Sequence, residues 1–273
     1  MAGLTPEQLA TFQENGFLVI PDYLSQSEIE SALKETETLL DDFDLETHPL
    51  TQFTTGDGDD TADHVGDDYF LNSGDKIRFF FEPEAFTTEP DPLTGRAALI
   101  KPKHLAVNKI GHSLHTLSPP FKAISLTERN AAVARSLGFS DPRVLQSMVI
   151  CKQPSIGGAV PPHRDSEFLY TDPPSAGSGK DLTKVAKAGT SRGDSGMDEE
   201  KVSGPADEDL EILNVKAGSL VLIHGNVLHK SEKNTSPHSR FAYTFHVIEG
   251  AEGWDYDKRN WLQPPEGGFS KLT

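Results

Sequence analysis

Three short apolar segments in the second half of the chain constrain its fold more than any other feature. Residues 144–151, 220–223 and 241–248 are rich in β-branched and aromatic residues and are bounded by Pro, Gly or charged residues. This pattern is typical of buried strands. In a chain of 273 residues with 23 Gly and 19 Pro, they predict a mainly β, loop-rich fold that occupies residues 1–273 as a single domain.

The N-terminal part is predicted to be a helical addition to this fold. Thr5 with Gln8, and Ser25 with Glu28, each have the sequence of a capping box, which marks the start of a helix. Gly16 is expected to end the first helix, and the apolar residues directly after it are expected to form a strand.

The middle of the chain alternates predicted elements with polar loops. Residues 69–71 and 76–81 are predicted strands, and residues 106–137 are predicted to be helical. Residues 50–66 and 175–208 contain few apolar residues and are predicted to be loops, the second of them long and flexible.

The charge and the cysteine content exclude several classes of partner. A net charge of −17 would repel nucleic acid and anionic membrane surfaces. No apolar run is long enough to predict a membrane span, and a single cysteine, Cys151, favours a reducing compartment. The N-terminus does not resemble a signal peptide, and the peroxisomal tripeptide at residues 270–272 is followed by Thr273. We expect a cytoplasmic monomer.

A candidate metal site combines a short motif with a distant histidine. His163 and Asp165 are two residues apart, so both side chains would leave the same face of a strand. His229 lies in the loop after the apolar segment 220–223 and is a plausible third ligand. Two imidazoles and one carboxylate, without a thiolate, favour Fe(II) over structural zinc and leave three coordination positions open for a chelating co-substrate and dioxygen.

Arg240 begins the last apolar segment. Alternation places it on one face together with Thr244 and His246, with Phe241 and Tyr243 on the other. A guanidinium suits the distal carboxylate of an acidic co-substrate, although a surface ion pair would also explain an arginine in an acidic protein.

The remaining histidines near these segments are expected to support the fold. His224 lies five residues before His229 and could replace it as a ligand, but the end of a buried strand suits a hydrogen-bonded core histidine. His112 and His246 are interpreted as structural or as supports of the metal ligands.

Several stretches of the chain resemble the phytanoyl-CoA dioxygenase (PhyH) family. They cover most of the chain and are far more specific than the motif at His163 alone. The matching stretches are residues 12–19, 68–82, 108–112, 146–148, 163–165 with 168–171, 222–231 and 261–264.

This resemblance implies a fold, an activity and a set of cofactors. The fold is a double-stranded β-helix (a cupin-like jelly roll) with flanking helices, and the activity is that of a non-haem Fe(II)- and 2-oxoglutarate-dependent dioxygenase, a hydroxylase of a small-molecule substrate. It implies Fe(II) bound by His163, Asp165 and His229, with 2-oxoglutarate anchored by Arg240. It adds Lys109 and Met148 to the 2-oxoglutarate pocket; their own sequence surroundings indicate only a solvated helix residue and a core residue. Ascorbate is the expected reductant.

The chain departs from the family pattern after Thr171. In the family, a strand with a Trp, an acidic turn, and Asn-Gly and Pro-Gly-Ser-His motifs follow, whereas residues 172–180 pass directly into Gly- and Ser-rich sequence. His163 and His229 are only 66 positions apart. We therefore expect one or two barrel strands to be missing and one wall of the pocket to be open to water. Intact motifs on both sides favour a splice product or an incomplete gene model over an adapted barrel.

Two alternatives to the dioxygenase remain at the level of sequence. The first is a catalytically impaired, shortened jelly roll that serves as a binding or regulatory protein. The second is a metal-dependent hydrolase that uses a bound water as nucleophile. Against this alternative, Glu167 is the only candidate general base near the motif, and it is equally well interpreted as a surface residue. The sequence does not identify a primary substrate, and the acidic composition does not favour a phosphorylated thioester.

Overall fold

The computed structural model describes residues 3–53, 68–89, 97–173 and 210–273. The flexible loop predicted at residues 175–208 lies outside the described residues, as does most of the loop predicted at residues 50–66. None of the helices in the described ranges is long and apolar enough to cross a membrane.

The two N-terminal helices begin where the capping boxes predict. Helix α1 spans Pro6–Asn15 and helix α2 spans Gln26–Asp42, and in each the hydroxyl of the residue before the helix accepts a hydrogen bond from the backbone N–H three residues later. Gly16 ends α1 in the left-handed conformation with φ 76°, which a residue with a side chain rarely adopts. These predictions are confirmed.

One antiparallel sheet of five strands forms the centre of the fold. Its strands are β2 (Ile77–Phe81), β3 (Val107–His112), β4 (Pro142–Lys152), β9 (Arg240–Glu249) and β11 (Ser270–Lys271). Strand β4 is the longest, and it pairs with β9 on one edge and with β3 and β11 on the other. The predicted strands in this sheet are confirmed.

Helix α3 (Asp68–Leu71) precedes β2. Three helices lie between β3 and β4: α4 (Leu114–Leu117), α5 (Pro119–Ser125) and α6 (Glu128–Ser136). Two predictions were wrong here. Residues 69–71 form a helical turn, in which Phe70 packs against Trp261, and the predicted helix at residues 106–137 begins instead with strand β3. Strand β3 is hydrogen-bonded on both edges within the sheet, and this pairing overrides local helical preference.

The two faces of the central sheet have different roles. Phe79, Phe81, Ile110 and Val149 are buried on the face covered by helices, where Tyr243 joins them. Cross-strand partners share a face of a sheet. Two rows of partners therefore lie on the opposite face: Lys109, Ile150 and Ala242 in one, and Gly111, Met148 and Thr244 in the next.

The remaining strands form three antiparallel pairs: β1 (Phe17–Ile20) with β7 (Leu220–Ile223), β5 (Val160–His163) with β8 (His229–Ser231), and β6 (Thr171–Asp172) with β10 (Asp255–Tyr256). Within the described ranges these pairs are not hydrogen-bonded to one another, and no closed barrel is formed. Ile223 in β7 is 40% exposed.

Candidate metal centre

Strands β5 and β8 bring the two predicted histidine ligands together. His163 ends β5, His229 begins β8, and the two are directly opposite each other in the antiparallel register. Their ring centroids are 4.2 Å apart. Facing residues in adjacent strands place their side chains on the same side, so this pairing directs both imidazoles to one point.

Asp165 reaches the same point from outside the strand. The prediction that His163 and Asp165 share one strand was wrong, because β5 ends at His163 and Asp165 opens a 3₁₀ turn. The backbone N–H of Ser166 donates to the carbonyl of Gly225, which draws the chain away from the direction of β5. Oδ1 of Asp165 still lies 3.5 Å from Nε2 of His163 and 3.8 Å from Nε2 of His229.

Hydrogen bonds select the imidazole tautomer that can bind a metal. Nδ1 of His163 lies 2.9 Å from the carbonyl oxygen of Pro161, and Nδ1 of His229 lies 3.0 Å from that of Val227. A carbonyl oxygen only accepts, so each Nδ1 must carry the proton. In the neutral ring each Nε2 therefore carries the lone pair that a metal can bind, as in metal-binding histidines. In the protonated ring the same nitrogen carries a second N–H that can donate to Asp165.

The charges of the three groups are strongly coupled. Burial alone would raise the pKa of Asp165, but hydrogen bonds from His163 and His246 hold it far below its ordinary value. The same hydrogen bond to Asp165 raises the pKa of His163, against the effects of burial and of the Lys109 charge. The lowered pKa favours an ionised Asp165 between the imidazoles, and the charge of Lys109 lowers the pKa of His163.

Arg240 lies at the start of β9, beside the end of β8. It is exposed, and its Nη2 donates to Oγ of Ser231 over 3.3 Å. Ser231 is two residues after His229, so both side chains leave the same face of β8. The predicted alternation in β9 is confirmed: Phe241 and Tyr243 pack into the helix-covered core, while His246 on the other face contacts Asp165.

Lys109 and Met148 lie in the two rows on the same face of the central sheet. Lys109 is not a solvated helix residue; it is a partly buried residue of β3, and its ammonium lies 3.3 Å from the centroid of the Phe53 ring. Burial lowers the pKa of Lys109 to about 7, and the Glu82 carboxylate opposes this effect. Met148 is 7% exposed.

Two buried charges near this region were missed from the sequence. Lys152, 3% exposed, donates to the carbonyl oxygens of Gly158, Ser231 and Glu232. Glu82, 1% exposed, accepts a hydrogen bond from the backbone N–H of Gly158. The position of Lys152 was a usable signal, because it continues the alternation of Met148 and Ile150 on one face of an apolar strand.

The other histidines have structural surroundings. His224 is buried beside Phe12, and its Nδ1 accepts from the backbone N–H of Asn226. His112 is buried, bonded to Ser73 and packed against aromatic rings.

Glu167, considered as a hydrolytic base, is more than half exposed. Its carboxylate accepts from Arg164 over 3.4 Å. Glu167 therefore does not provide the hydrolase interpretation with a base directed at the ligands.

Comparisons with known proteins agree on one family. The model of the family described as "Phytanoyl-CoA dioxygenase (PhyH)" matches residues 12–186 and 181–242. Phytanoyl-CoA dioxygenase domain-containing protein 1 of Bos taurus is 39% identical, with 100% of this chain and 99% of the relative covered. Phytanoyl-CoA dioxygenase of Arabidopsis thaliana is 39% identical, with 95% and 94% covered.

The bovine relative contains residues that have no counterpart in this chain. The comparison with the bovine protein extends over 300 aligned positions, 27 more than the 273 residues of this chain. The family match also divides into two parts that meet at residues 181–186, inside the stretch where the sequence departs from the family pattern.

Solved structures with the same fold are distant in sequence. The non-heme alpha ketoglutarate dependent epimerase SnoN from nogalamycin biosynthesis matches with a TM-score of 0.55 at 12% identity, covering 98% of this chain and 90% of that one. EctD from S. alaskensis in its apoform matches with a TM-score of 0.52 at 16% identity, covering 99% and 87%. The predicted jelly-roll class is confirmed, with the barrel not closed within the described residues.

Proposed function

The chain belongs to the phytanoyl-CoA dioxygenase (PhyH) family, and from that premise we propose that it is a non-haem Fe(II)- and 2-oxoglutarate-dependent dioxygenase that hydroxylates a small molecule. The observation that carries the proposal is the cross-strand pair His163 and His229, both with Nε2 directed at Asp165.

The donor set fits an iron ion. The three ligand atoms lie within 4.8 Å of one another. Two ligands that are each about 2 Å from an ion are at most about 4 Å apart, so small side-chain rotations bring all three atoms into range. Two neutral imidazoles and one carboxylate are the ligands that such iron centres use. When bound there with 2-oxoglutarate and dioxygen, iron supplies the oxidising chemistry that amino-acid side chains lack.

The protein's own groups supply the binding site for 2-oxoglutarate. Arg240 is expected to bind the carboxylate far from the metal, with Ser231 orienting its guanidinium. The Lys109 ammonium adds a second positive charge on the same side of the central sheet. In a chain with a net charge of −17, these cations set this region apart as one that attracts a dianion.

The central sheet excludes water from one side of the site. Met148 is almost fully buried and lies between Gly111 and Thr244 in one cross-strand row. Such an apolar floor strengthens electrostatic contacts with a bound anion. The primary substrate is therefore expected to enter from the side of β5 and β8, away from this sheet.

The test is turnover of 2-oxoglutarate by the full chain with Fe(II) and ascorbate, measured as succinate formed. Arg240→Gln should raise KM for 2-oxoglutarate about 10- to 100-fold, because a charged hydrogen bond is worth about 1.5 to 3 kcal/mol. Arg259→Gln removes an exposed arginine that pairs with Asp257 and serves as the matched control.

Three outcomes separate the interpretations. Succinate formation that depends on Arg240 and not on Arg259 supports the dioxygenase. Metal binding without any turnover or 2-oxoglutarate binding would favour the impaired binding protein. Absence of both would contradict the proposed function.

A further inference from the structure

The two oxygens of Asp165 face different partners. Oδ1 is directed at His163 and His229, at 3.5 and 3.8 Å. Oδ2 lies 3.5 Å from Nε2 of His246, which comes from the central sheet. A carboxylate that binds an octahedral ion through one oxygen leaves three positions open beside two histidines, whereas binding through both oxygens leaves only two.

A β-bulge places a partner behind His246. In the β4–β9 register, Val144 faces Val247 and Ser147 faces Phe245, so Leu145 and Gln146 together oppose the single residue His246. Such bulges change the direction of a side chain and often lie beside active sites. Gln146, 5% exposed, lies two residues before Met148 and therefore on the same, site-facing side of the sheet, with its Nε2 3.3 Å from Nδ1 of His246.

This contact fixes which nitrogen of His246 carries the proton. An amide nitrogen only donates, so Nδ1 of His246 accepts from Gln146 and the ring proton is on Nε2. This N–H faces Oδ2 of Asp165, 3.5 Å from Nε2. Gln146 therefore donates to His246, and His246 in turn directs its N–H at Asp165. The oxygen that it faces, Oδ2, is not the one that faces His163 and His229.

We propose that His246 is a positioning residue of the metal centre: by holding Oδ2, it keeps Asp165 bound to the metal through Oδ1 alone and preserves the third open coordination position. Gln146 supports this role by selecting the required tautomer of His246. The inference rests on the proposed function, because it concerns the same metal site. Beyond the proposed function, it assigns His246 a role in setting how many oxygens of Asp165 bind the metal, which the three ligands by themselves do not determine.

The experiment is a titration of metal-free protein with Co(II) alone, followed by visible absorption, which reports both affinity and coordination. His246→Leu removes the donor at similar volume, and His246→Gln retains a neutral donor. His104→Leu removes an exposed histidine near Asp41 and serves as the control.

His246→Leu should bind Co(II) about 10- to 100-fold more weakly, as is typical of residues that orient metal ligands, with a changed absorption spectrum. His246→Gln should recover most of the affinity and the wild-type spectrum.

The absorption spectrum distinguishes a positioning role of His246 from a merely structural one. If the role were only structural, His246→Leu would lower the melting temperature of the protein but leave the spectrum of bound Co(II) unchanged. Wild-type affinity and spectrum in His246→Leu would overturn the inference. Loss of all Co(II) binding in both His246 variants, with the His104 control intact, would make His246 a ligand and also overturn it.

A further variant keeps the test decisive if His246→Leu does not fold. Gln146→Leu should then weaken Co(II) binding in the same direction by a smaller factor, and unchanged affinity and spectrum in Gln146→Leu would overturn the inference. Failure of the wild-type protein to bind Co(II) contradicts the proposed function and the inference together, whereas normal wild-type binding with unaffected variants contradicts the inference alone.

Discussion

Replacing Lys109 by Met should make the protein more stable while weakening its binding of 2-oxoglutarate. In the described part of the chain, the Lys109 ammonium lies over the Phe53 ring rather than against a hydrogen-bond acceptor. Burial lowers its pKa from 10.5 to about 7. Because the unfolded chain then binds more protons than the folded protein between pH 7 and 10.5, stability increases with pH in this window.

The magnitude follows from the pKa difference. One pKa unit corresponds to about 1.4 kcal/mol, so a change from 10.5 to about 7 represents about 4 to 5 kcal/mol of destabilisation at and below pH 7. The contact with the Phe53 ring, worth about 0.5 to 2 kcal/mol, is lost in the variant, and partial access of water reduces the cost of burial. We expect Lys109→Met to raise the free energy of unfolding by about 2 to 3 kcal/mol at pH 7.

The assay is urea denaturation of metal-free protein at several pH values between 6 and about 10. The advantage of Lys109→Met over wild type should be greatest at and below pH 7 and should shrink towards pH 10. Lys152→Met is the matched control: this lysine donates to three carbonyl oxygens, so its loss should destabilise by about 1 to 3 kcal/mol. A variant less stable than wild type at pH 7, or an advantage that does not change with pH, would refute the reasoning.

Two further predictions concern the metal and the co-substrate. His229→Ala should abolish binding of Fe(II), as measured by metal analysis. His224→Ala should still bind Fe(II) but should lower the stability of the protein, because His224 is buried beside Phe12. Equal loss of iron in both variants would contradict the assignment of His229 as the ligand. Glu82→Gln removes the carboxylate that raises the pKa of Lys109, so the pH above which 2-oxoglutarate affinity declines should move to lower values. Calorimetric titrations with 2-oxoglutarate across pH 6–8 test this, and an unchanged midpoint would argue against the coupling.

The sequence predicted well where local signals agree with the tertiary fold. The capping boxes at Thr5 and Ser25 specify helix starts through their own side chains, and both were confirmed. The alternation in β9 was also confirmed, because one face of that strand packs into the core. Strand β3 was predicted as helix, since its few apolar residues acquire strand structure only by pairing with β2 and β4.

The candidate site was only partly accessible from the sequence. The spacing of His163 and Asp165 predicted that both side chains bind the same metal ion. The turn that carries Asp165 could not be predicted, because it depends on the contact between Ser166 and Gly225, which are distant in sequence. The burial of Glu82 could not be recognised, because its partner Gly158 is 76 residues away in sequence. The burial of Lys152 could have been inferred from the alternation of β4. The roles of the site residues remain predictions that the experiments above test.

The facing arrangement of His163 and His229 has a consequence for how the protein matures. Strands β5 and β8 pair only with each other within the described residues, and an isolated two-stranded ribbon is marginally stable in water. An ion bound between the two histidines would act as a cross-link across this ribbon, closing a long segment of chain as a disulfide does. Binding of iron at this site would then be coupled to formation of the ribbon, so the fraction of protein with the ribbon formed would increase with the concentration of free iron.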